Sequence, residues 1–370
     1  MKILYIADST SIHTKRWVKY FINSGNKIYM ITLGKKKKRI QGVEHLANFN
    51  EFSYKKISFV PVLMKTRKII RKIKPDIVHA HFVHQYGWLG ALSNYHPFIL
   101  TAWGTDILNL PKASRFKIGK LVTKYTLRKA DLLTATSEYL KSEMLKLGAK
   151  ENRIHVIFWG VNLKKFRPGV DVNELRKKLK IKKGQKIVLS NRNHIKLYNN
   201  DIVIRSMRKV LQKFPNTILI MQNADGNCEN DLKNLAMKEG IYDSIRFLTK
   251  FNYSEMPALY SIADIYISVP SWDAGPVSLK EAMACGTVPI ISAIPGPMEW
   301  VKDKINGKVV PIRDCMKLAD AICELLLDQD QRYRYAEMNI RLIKKNAAHK
   351  ISMQKMEKLY KEMIKKNNTF

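Results

Sequence analysis

The stretch "DIYISVPSWDAGPVSLKEAMACGTVPIIS", Asp264 to Ser292, decides the fold. Asp264–Pro270 and Val288–Ser292 are short, continuous apolar runs, as strands covered on both faces are. Between them lie a loop, Ser271–Gly275, and a helix with apolar periodicity that Gly286 ends. Strand, helix, strand makes one βαβ unit, and the loop stands at the carboxyl end of its first strand. Pro276 suits the first helical turn, where its missing N–H is not needed. Gly275 before it lets the backbone come close to a ligand. Amides at such a helix start favour an anion such as a diphosphate. Asp273 and Glu281 bracket this point. Glu281, about one and a half turns into the helix, can only accept hydrogen bonds when ionised, which fits a vicinal diol such as a ribose. A plainer reading is equally open: Asp273 favours the helix dipole and Glu281 is a solvated helix residue.

Outward from this unit the same alternation repeats. Strands are expected at 2–8, 27–33, 76–82, 97–103, 131–137 and 153–159, with helices between them. "GVNLKKFRPG" (160–169) breaks the pattern with Gly and Pro and reads as a linker. A second series follows, with strands at 186–192, 217–222, 244–249, 264–270, 288–292 and 307–311. The tail from about 314 to 366 is helical. The expected architecture is α/β, two Rossmann-like, doubly wound parallel sheets facing across a cleft, with ligands at the carboxyl ends of the strands. The expected boundaries are 1–165, 166–345 and a C-terminal helix, 346–370, that packs back on the first domain.

The 370 residues are enough for two cores, and no run of about 18 to 20 apolar residues marks a membrane span. The N-terminal apolar run is too short for a signal peptide. Four cysteines without a CxxC pair or histidine partners point to a reduced, cytoplasmic protein without structural zinc. The net charge of +35 is uneven: residues 1–170 carry 32 Lys/Arg against 9 Asp/Glu, residues 171–370 carry 34 against 22. Such a surplus attracts nucleic acid, anionic membrane or phosphorylated ligands, or reflects a lysine-rich proteome. "GKKKKRI" (34–40) and "MKTRKIIRKIK" (64–74) are the sharpest basic clusters. The second suits a membrane surface or an ordinary helix with solvated lysines. No zinc-finger, RNP or KH pattern appears, so no specific nucleic acid partner is expected.

"SWDAGPVSLKEAMACGTVPIIS" resembles the signature of the retaining family 4 glycosyltransferases (glycosyl transferases group 1), which have the GT-B fold. Two acids there flank seven residues, and the second precedes Ala-Met-Ala-x-Gly. "ADLLTATSEYLKSEMLKLG" (130–148), "RIHVIFWGVNLKKFRPG" (153–169), "MPALYSIADIYISVPS" (256–271) and "PGPMEWVKDKINGKVV" (295–310) resemble further family segments in the same order. The resemblance implies a donor site for a nucleoside-diphosphate sugar, with no other cofactor. Glu281 would hold the ribose, Asp273 would face the donor sugar, and Ala274, Gly275, Pro276 and Val277 would close on sugar and phosphate. Arg192 and Lys196 would meet the diphosphate, Arg192 with its bidentate fork. Leu248–Phe251 lies where the base docks.

Departures from the pattern are local. Asp273 stands where the family more often has Glu, and "RNHIKLYN" (192–199) replaces the usual Arg-x4-Lys-Gly. "DSTSIHTKRW" (8–17) replaces a glycine-rich loop, and "TAWGTDI" (101–107) has Trp103 where a histidine is usual, while Asp106 keeps the motif's acid. "GVN" has Asn162 for the more usual Asp. Ser9, His13, Lys15, His81, Trp103 and Asp106 are the acceptor-side candidates, with His79 beside His81 on one sheet face. His13 also joins Asp273, Glu281 and Arg192 as a catalytic candidate.

The expected function is a retaining, metal-independent sugar transfer to a glycan or lipid-linked acceptor in cell-surface polysaccharide or glycolipid synthesis, peripheral on the inner face of the membrane. No DxD-type metal site lies between strands at the expected cleft. Alternatives are an epimerase or a phosphorylase of the same fold, the latter without an identifiable pyridoxal lysine. A non-catalytic basic protein binding membrane or nucleic acid is the third.

Overall fold

The structure is a computed structural model that describes residues 1–370 except 35–38, 50–58, 110–116, 224–225, 250 and 369–370. The basic run Lys35–Lys38 therefore lies outside the described residues. The chain forms two compact units, Met1–Phe158 with Ser352–Phe370, and Trp159–Ile351. The first crossing falls at Phe158/Trp159 rather than at 165, so the glycine-proline linker belongs to the second unit.

In the first unit, β1 (Lys2–Ile6), α1 (Ile12–Asn23), β2 (Lys27–Leu33), β3 (Val43–Phe49), α2 (Phe59–Ile73), β4 (Ile77–His81), α3 (Gln85–Ser93), β5 (Phe98–Thr101), α4 (Thr105–Leu108), α5 (Lys117–Lys129), β6 (Leu132–Ala135), α6 (Glu138–Lys146) and β7 (Ile154–Val156) follow one another. The seven strands are parallel in the order β3-β2-β1-β4-β5-β6-β7. Sequence reading misses β3. It is an edge strand whose residues are mostly exposed or half-buried, so it lacks the apolar run of a central parallel strand. Ser11 caps α1 and Ser137 caps α6, each side chain accepting from a first-turn amide.

The second unit holds α7 (Asn173–Lys178), β8 (Lys186–Ser190), α8 (Asn200–Lys213), β9 (Thr217–Asn223), α9 (Glu229–Lys238), β10 (Ile245–Thr249), α10 (Met256–Ser261), β11 (Ile265–Ser268), α11 (Val277–Ala284), β12 (Val288–Ser292), α12 (Pro295–Met298), β13 (Lys308–Val310), α13 (Cys315–Leu327) and α14 (Gln329–Asn346). Its six parallel strands run β10-β9-β8-β11-β12-β13. Val188, Leu219, Ile265, Ile267 and Ile290 of the strands form one buried cluster with Val203, Met207 and Val210 of α8 and Leu318 and Ile322 of α13. The last helix, α15 (His349–Asn368), starts in the second unit and continues in the first. Within the second unit, Val161 N–H donates to the Ala347 carbonyl at 2.7 Å and His349 N–H donates to the Val161 carbonyl at 2.9 Å.

Strand order reverses between β1 and β4 in one sheet and between β8 and β11 in the other. At these switch points neighbouring loops leave the sheet in opposite directions and open a crevice.

Candidate active site

Two loops flank the switch point of the second unit. One follows β8 and carries Arg192, His194 and Lys196. The other follows β11 and carries Asp273–Pro276. Asn199, in left-handed backbone, ties them together: its amide donates to the Val269 carbonyl and the Ser271 hydroxyl, at 2.9 and 3.1 Å. Ser271 N–H donates to the Leu197 carbonyl at 2.9 Å. The second loop is also gripped by α12. A Cβ on Gly296 would lie 2.4 Å from the Asp273 carbonyl oxygen, so only glycine allows this approach.

Within this frame Arg192 is buried and donates to Asp273 Oδ2 (2.5 Å) and Ser278 Oγ (3.1 Å), with Tyr198 4.2 Å beneath its guanidinium. Burial works against the Arg192 charge, but Asp273, Tyr198 and Tyr266 outweigh it and hold the proton more tightly than usual. Gly275 N–H donates to Asp273 Oδ1 at 3.1 Å. Asp273 is thus the partner of Arg192, and the pair presents one fork and one carboxylate in a single ion pair.

Glu281 lies in the second turn of α11 and is 4% exposed. Tyr253 donates to its Oε1, and Tyr260 donates to Oε2 at 3.4 Å while accepting from Asn191 at 2.6 Å. Burial, and then the Glu281 charge, push the Tyr260 hydroxyl well above the ordinary 10.0, so it stays protonated and donates. Glu281 is therefore a buried, oriented carboxylate and not a solvated helix residue. Pro276 brings no side-chain cap to α11. Lys280, which sequence reading passes over, is fully buried, donates to the Gly275 carbonyl at 3.2 Å and stands 5.1 Å from the centre of the Trp300 ring.

The remaining candidates of this unit spread around the two loops. Lys196 is exposed on the first loop. Leu248 is half-buried in β10, and Phe251, also half-buried, lies 5.5 Å under the Lys178 ammonium. Ala274 is buried and Val277 opens α11. His194 is buried with its ring edge-on to Phe247, and its backbone N–H donates to Asn223 Oδ1 at 3.1 Å. Tyr253, Tyr260, Ser278 and Asn199 complete the arrangement. Their signal in the sequence is faint, because a polar group on a strand or helix shows its partner only after folding.

In the first unit the candidates separate. His79 is fully buried: Nδ1 meets the Tyr360 hydroxyl of α15 at 2.5 Å and Nε2 meets Thr101 Oγ1 at 2.7 Å. His81 is buried among Tyr5, Trp17, His79 and Trp103, and burial pushes it down to about 3, so it is neutral. Asp106 accepts the backbone N–H groups of Val83, Trp103 and Gly104, at 2.8, 3.0 and 2.7 Å, and so fastens the loops after β4 and β5. Ser9 is buried, its N–H donating to Thr32 Oγ1 at 3.2 Å. Half-buried His13 stands edge-on to Trp103, ring centres 6.0 Å apart, and Lys15 donates to the Thr10 carbonyl at 3.0 Å. His13, Lys15 and Trp103 are thus the acceptor-side candidates left outside the core.

All four cysteines are free, and among the described residues no group of three or more His, Cys, Asp or Glu is arranged to hold a metal ion. No described helix is long and apolar enough to cross a membrane.

Comparison with known proteins bears on the family and the fold. The family profile for glycosyl transferase 4-like domains matches residues 2–137, and that for glycosyl transferases group 1 matches residues 171–342. A D-inositol 3-phosphate glycosyltransferase of Salinispora arenicola is 26% identical over 288 residues, which cover 71% of this chain and 63% of that protein. The chain therefore matches less than two thirds of that relative's length. The crystal structure of a glycosyltransferase from Rickettsia africae superposes with a TM-score of 0.82 at 21% identity, covering 98% of each chain. That of Anabaena Alr3699/HepE, solved with UDP and glucose, superposes with a TM-score of 0.83 at 17% identity, covering 98% of this chain and 100% of that one. The two profile matches span most of the sequence, one in each unit, and the chain belongs to the group 1 glycosyltransferases with the GT-B fold.

Proposed function

We propose that the protein transfers a sugar, with retention of configuration, from a nucleoside-diphosphate sugar to a glycan or lipid-linked acceptor in cell-surface polysaccharide or glycolipid synthesis. The observation that carries this reading is Glu281, a buried carboxylate held by two tyrosine hydroxyls beside the Arg192–Asp273 pair at a switch point. Glu281 accepts from the ribose hydroxyls, and the base lies against Leu248 and Phe251. Arg192, Lys196 and the amides opening α11 take the charge of the departing diphosphate, which is where fixed dipoles lower a barrier most. No metal is required where these groups neutralise the phosphates. Asp273 and the Ala274–Val277 backbone face the donor sugar. On the first unit, His13, Lys15 and Trp103 are the candidates for holding the acceptor, whose hydroxyl attacks the sugar on the face from which the diphosphate leaves.

A thermal-shift screen of nucleotide sugars tests the donor, because ligand binding raises the melting temperature with the logarithm of its concentration over Kd. Glu281→Ala should then lower turnover about a hundredfold or more while the protein stays folded, the scale of losing a fixed charged contact in the transition state. Full turnover in that variant sinks the reading.

The acceptor side also fits an anionic membrane. α2 and α5 together carry ten Lys/Arg and no Asp/Glu, and both pack against α3. Val60 and Met64 of α2 and Leu121 and Tyr125 of α5 are exposed among these charges. Basic stripes with exposed apolar residues lie on anionic headgroups, each Lys or Arg near the surface worth about 1 kcal/mol. Lys68→Glu/Lys120→Glu should reduce flotation with phosphatidylglycerol vesicles. Unchanged flotation, or tighter binding to DNA than to vesicles, counts against this face.

A further inference from the structure

Helix α11 holds a lysine that no step above uses. Lys280 precedes Glu281 and is 0% exposed. Its neighbours on the helix, Leu279, Ala282, Met283 and Ala284, are buried and apolar. A buried ammonium is costly unless partners meet it, and an apolar side chain of similar volume is often as stable or more so. The partners here are specific. The ammonium donates to the Gly275 carbonyl at 3.2 Å and lies over Trp300. The charges that face it are Asp273 from the loop, Glu299 from the end of α12 and Glu281 from its own helix. Gly296 backs the same loop at the Asp273 and Ala274 carbonyls.

The charge count explains why a cation belongs here. Arg192 is already paired with Asp273, and the Glu281 and Glu299 carboxylates also act on this corner of the site. A diphosphate docking against it meets repulsion unless another cation stands close.

We infer that Lys280 is a positioning residue of the donor site: from beneath the loop its ammonium fixes the Gly275 carbonyl and offsets the carboxylates that would repel a diphosphate. This inference rests on the nucleotide-sugar reading above. Lys280 acts through the loop and the local potential without touching the ligand. Burial, against the pull of Asp273, Glu299 and Glu281, pushes its ammonium down to about 8, so its charge is lost within an accessible pH range.

Calorimetric titration with uridine, guanosine and adenosine diphosphates at pH 7 and pH 9 tests it. The wild-type protein should bind its preferred diphosphate about tenfold more weakly at pH 9, as a group of this acidity loses its proton. Lys280→Met should bind about tenfold more weakly at pH 7, show no further loss at pH 9, and melt at the wild-type temperature or above. Lys280→Arg, which keeps its charge, should show a flat profile and decides the matter alone if the methionine variant does not fold. Wild-type affinity in Lys280→Met at pH 7, or a loss at pH 9 shared by all three proteins, overturns the inference. Failure of the wild-type protein to bind any of the diphosphates overturns instead the nucleotide-sugar reading.

Discussion

The two switch points share a topology and differ in what their polar groups do. In the first unit His79 and Asp106 spend their hydrogen-bonding capacity on Tyr360, Thr101 and backbone amides, and His81 sits neutral among rings. In the second, Arg192, Asp273, Glu281 and Lys280 bring four ionisable groups to two loops and one helix. The first arrangement fastens the C-terminal helix and the loops to the sheet. The second keeps charge where it is costly for stability, which is the expected mark of a binding site. The same fold thus uses one switch point mainly for structure near the sheet and gathers ionisable side chains at the other.

Removing a charge from each side breaks or sharpens this contrast. Asp273→Ala leaves the buried Arg192 guanidinium without its carboxylate, and the unfolding free energy should fall by about 3 kcal/mol, the scale for a broken buried pair. Denaturant unfolding checks it, and a change below the scatter of the measurement would mean that Tyr198 and Ser278 suffice to hold Arg192. The smaller effect belongs to His81→Phe. Among the described residues no hydrogen bond reaches either His81 ring nitrogen, so stability near neutral pH should change by less than about 1 kcal/mol. Its signature is in acid. The folded state holds His81 well below 6.5, so the unfolded chain binds more protons as pH falls. The stability that neutral His81 contributes is complete above 6.5 and is lost between 6.5 and about 3. His81→Phe should flatten that part of the acid unfolding curve, and an unchanged acid slope would assign it to His79, which burial also holds below 6.5.

Much of this was legible before folding. Apolar runs marked the central strands, because a parallel strand buried on both faces is mostly apolar and its few polar residues, such as His79 and Thr101, find partners inside. β3 escaped because an edge strand is half wet. At the site, Asp273, Gly275, Pro276 and Glu281 were readable because one loop and one helix hold them together in sequence. Their partners were not: Asn199 reaches Ser271 across 72 positions, and Tyr253 reaches Glu281 across 28. The acceptor-side list mixed surface and core. "HAHF" places two histidines on one face of β4, but only packing shows that α1 and α15 cover that face. Tyr360 of α15 then meets His79.

The sequence by itself determined the alternation of strands and helices, the place of the acidic loop at a strand's carboxyl end, and the family, since these rest on local periodicity and short spacing. The tertiary structure decided which charges face one another. Arg192 and Asp273 form a pair, Glu281 is a buried carboxylate clasped by tyrosines, and Lys280 is an ammonium beneath the Gly275 carbonyl. Burial and partner distance set the state of an ionisable group, and both are created only when distant segments pack.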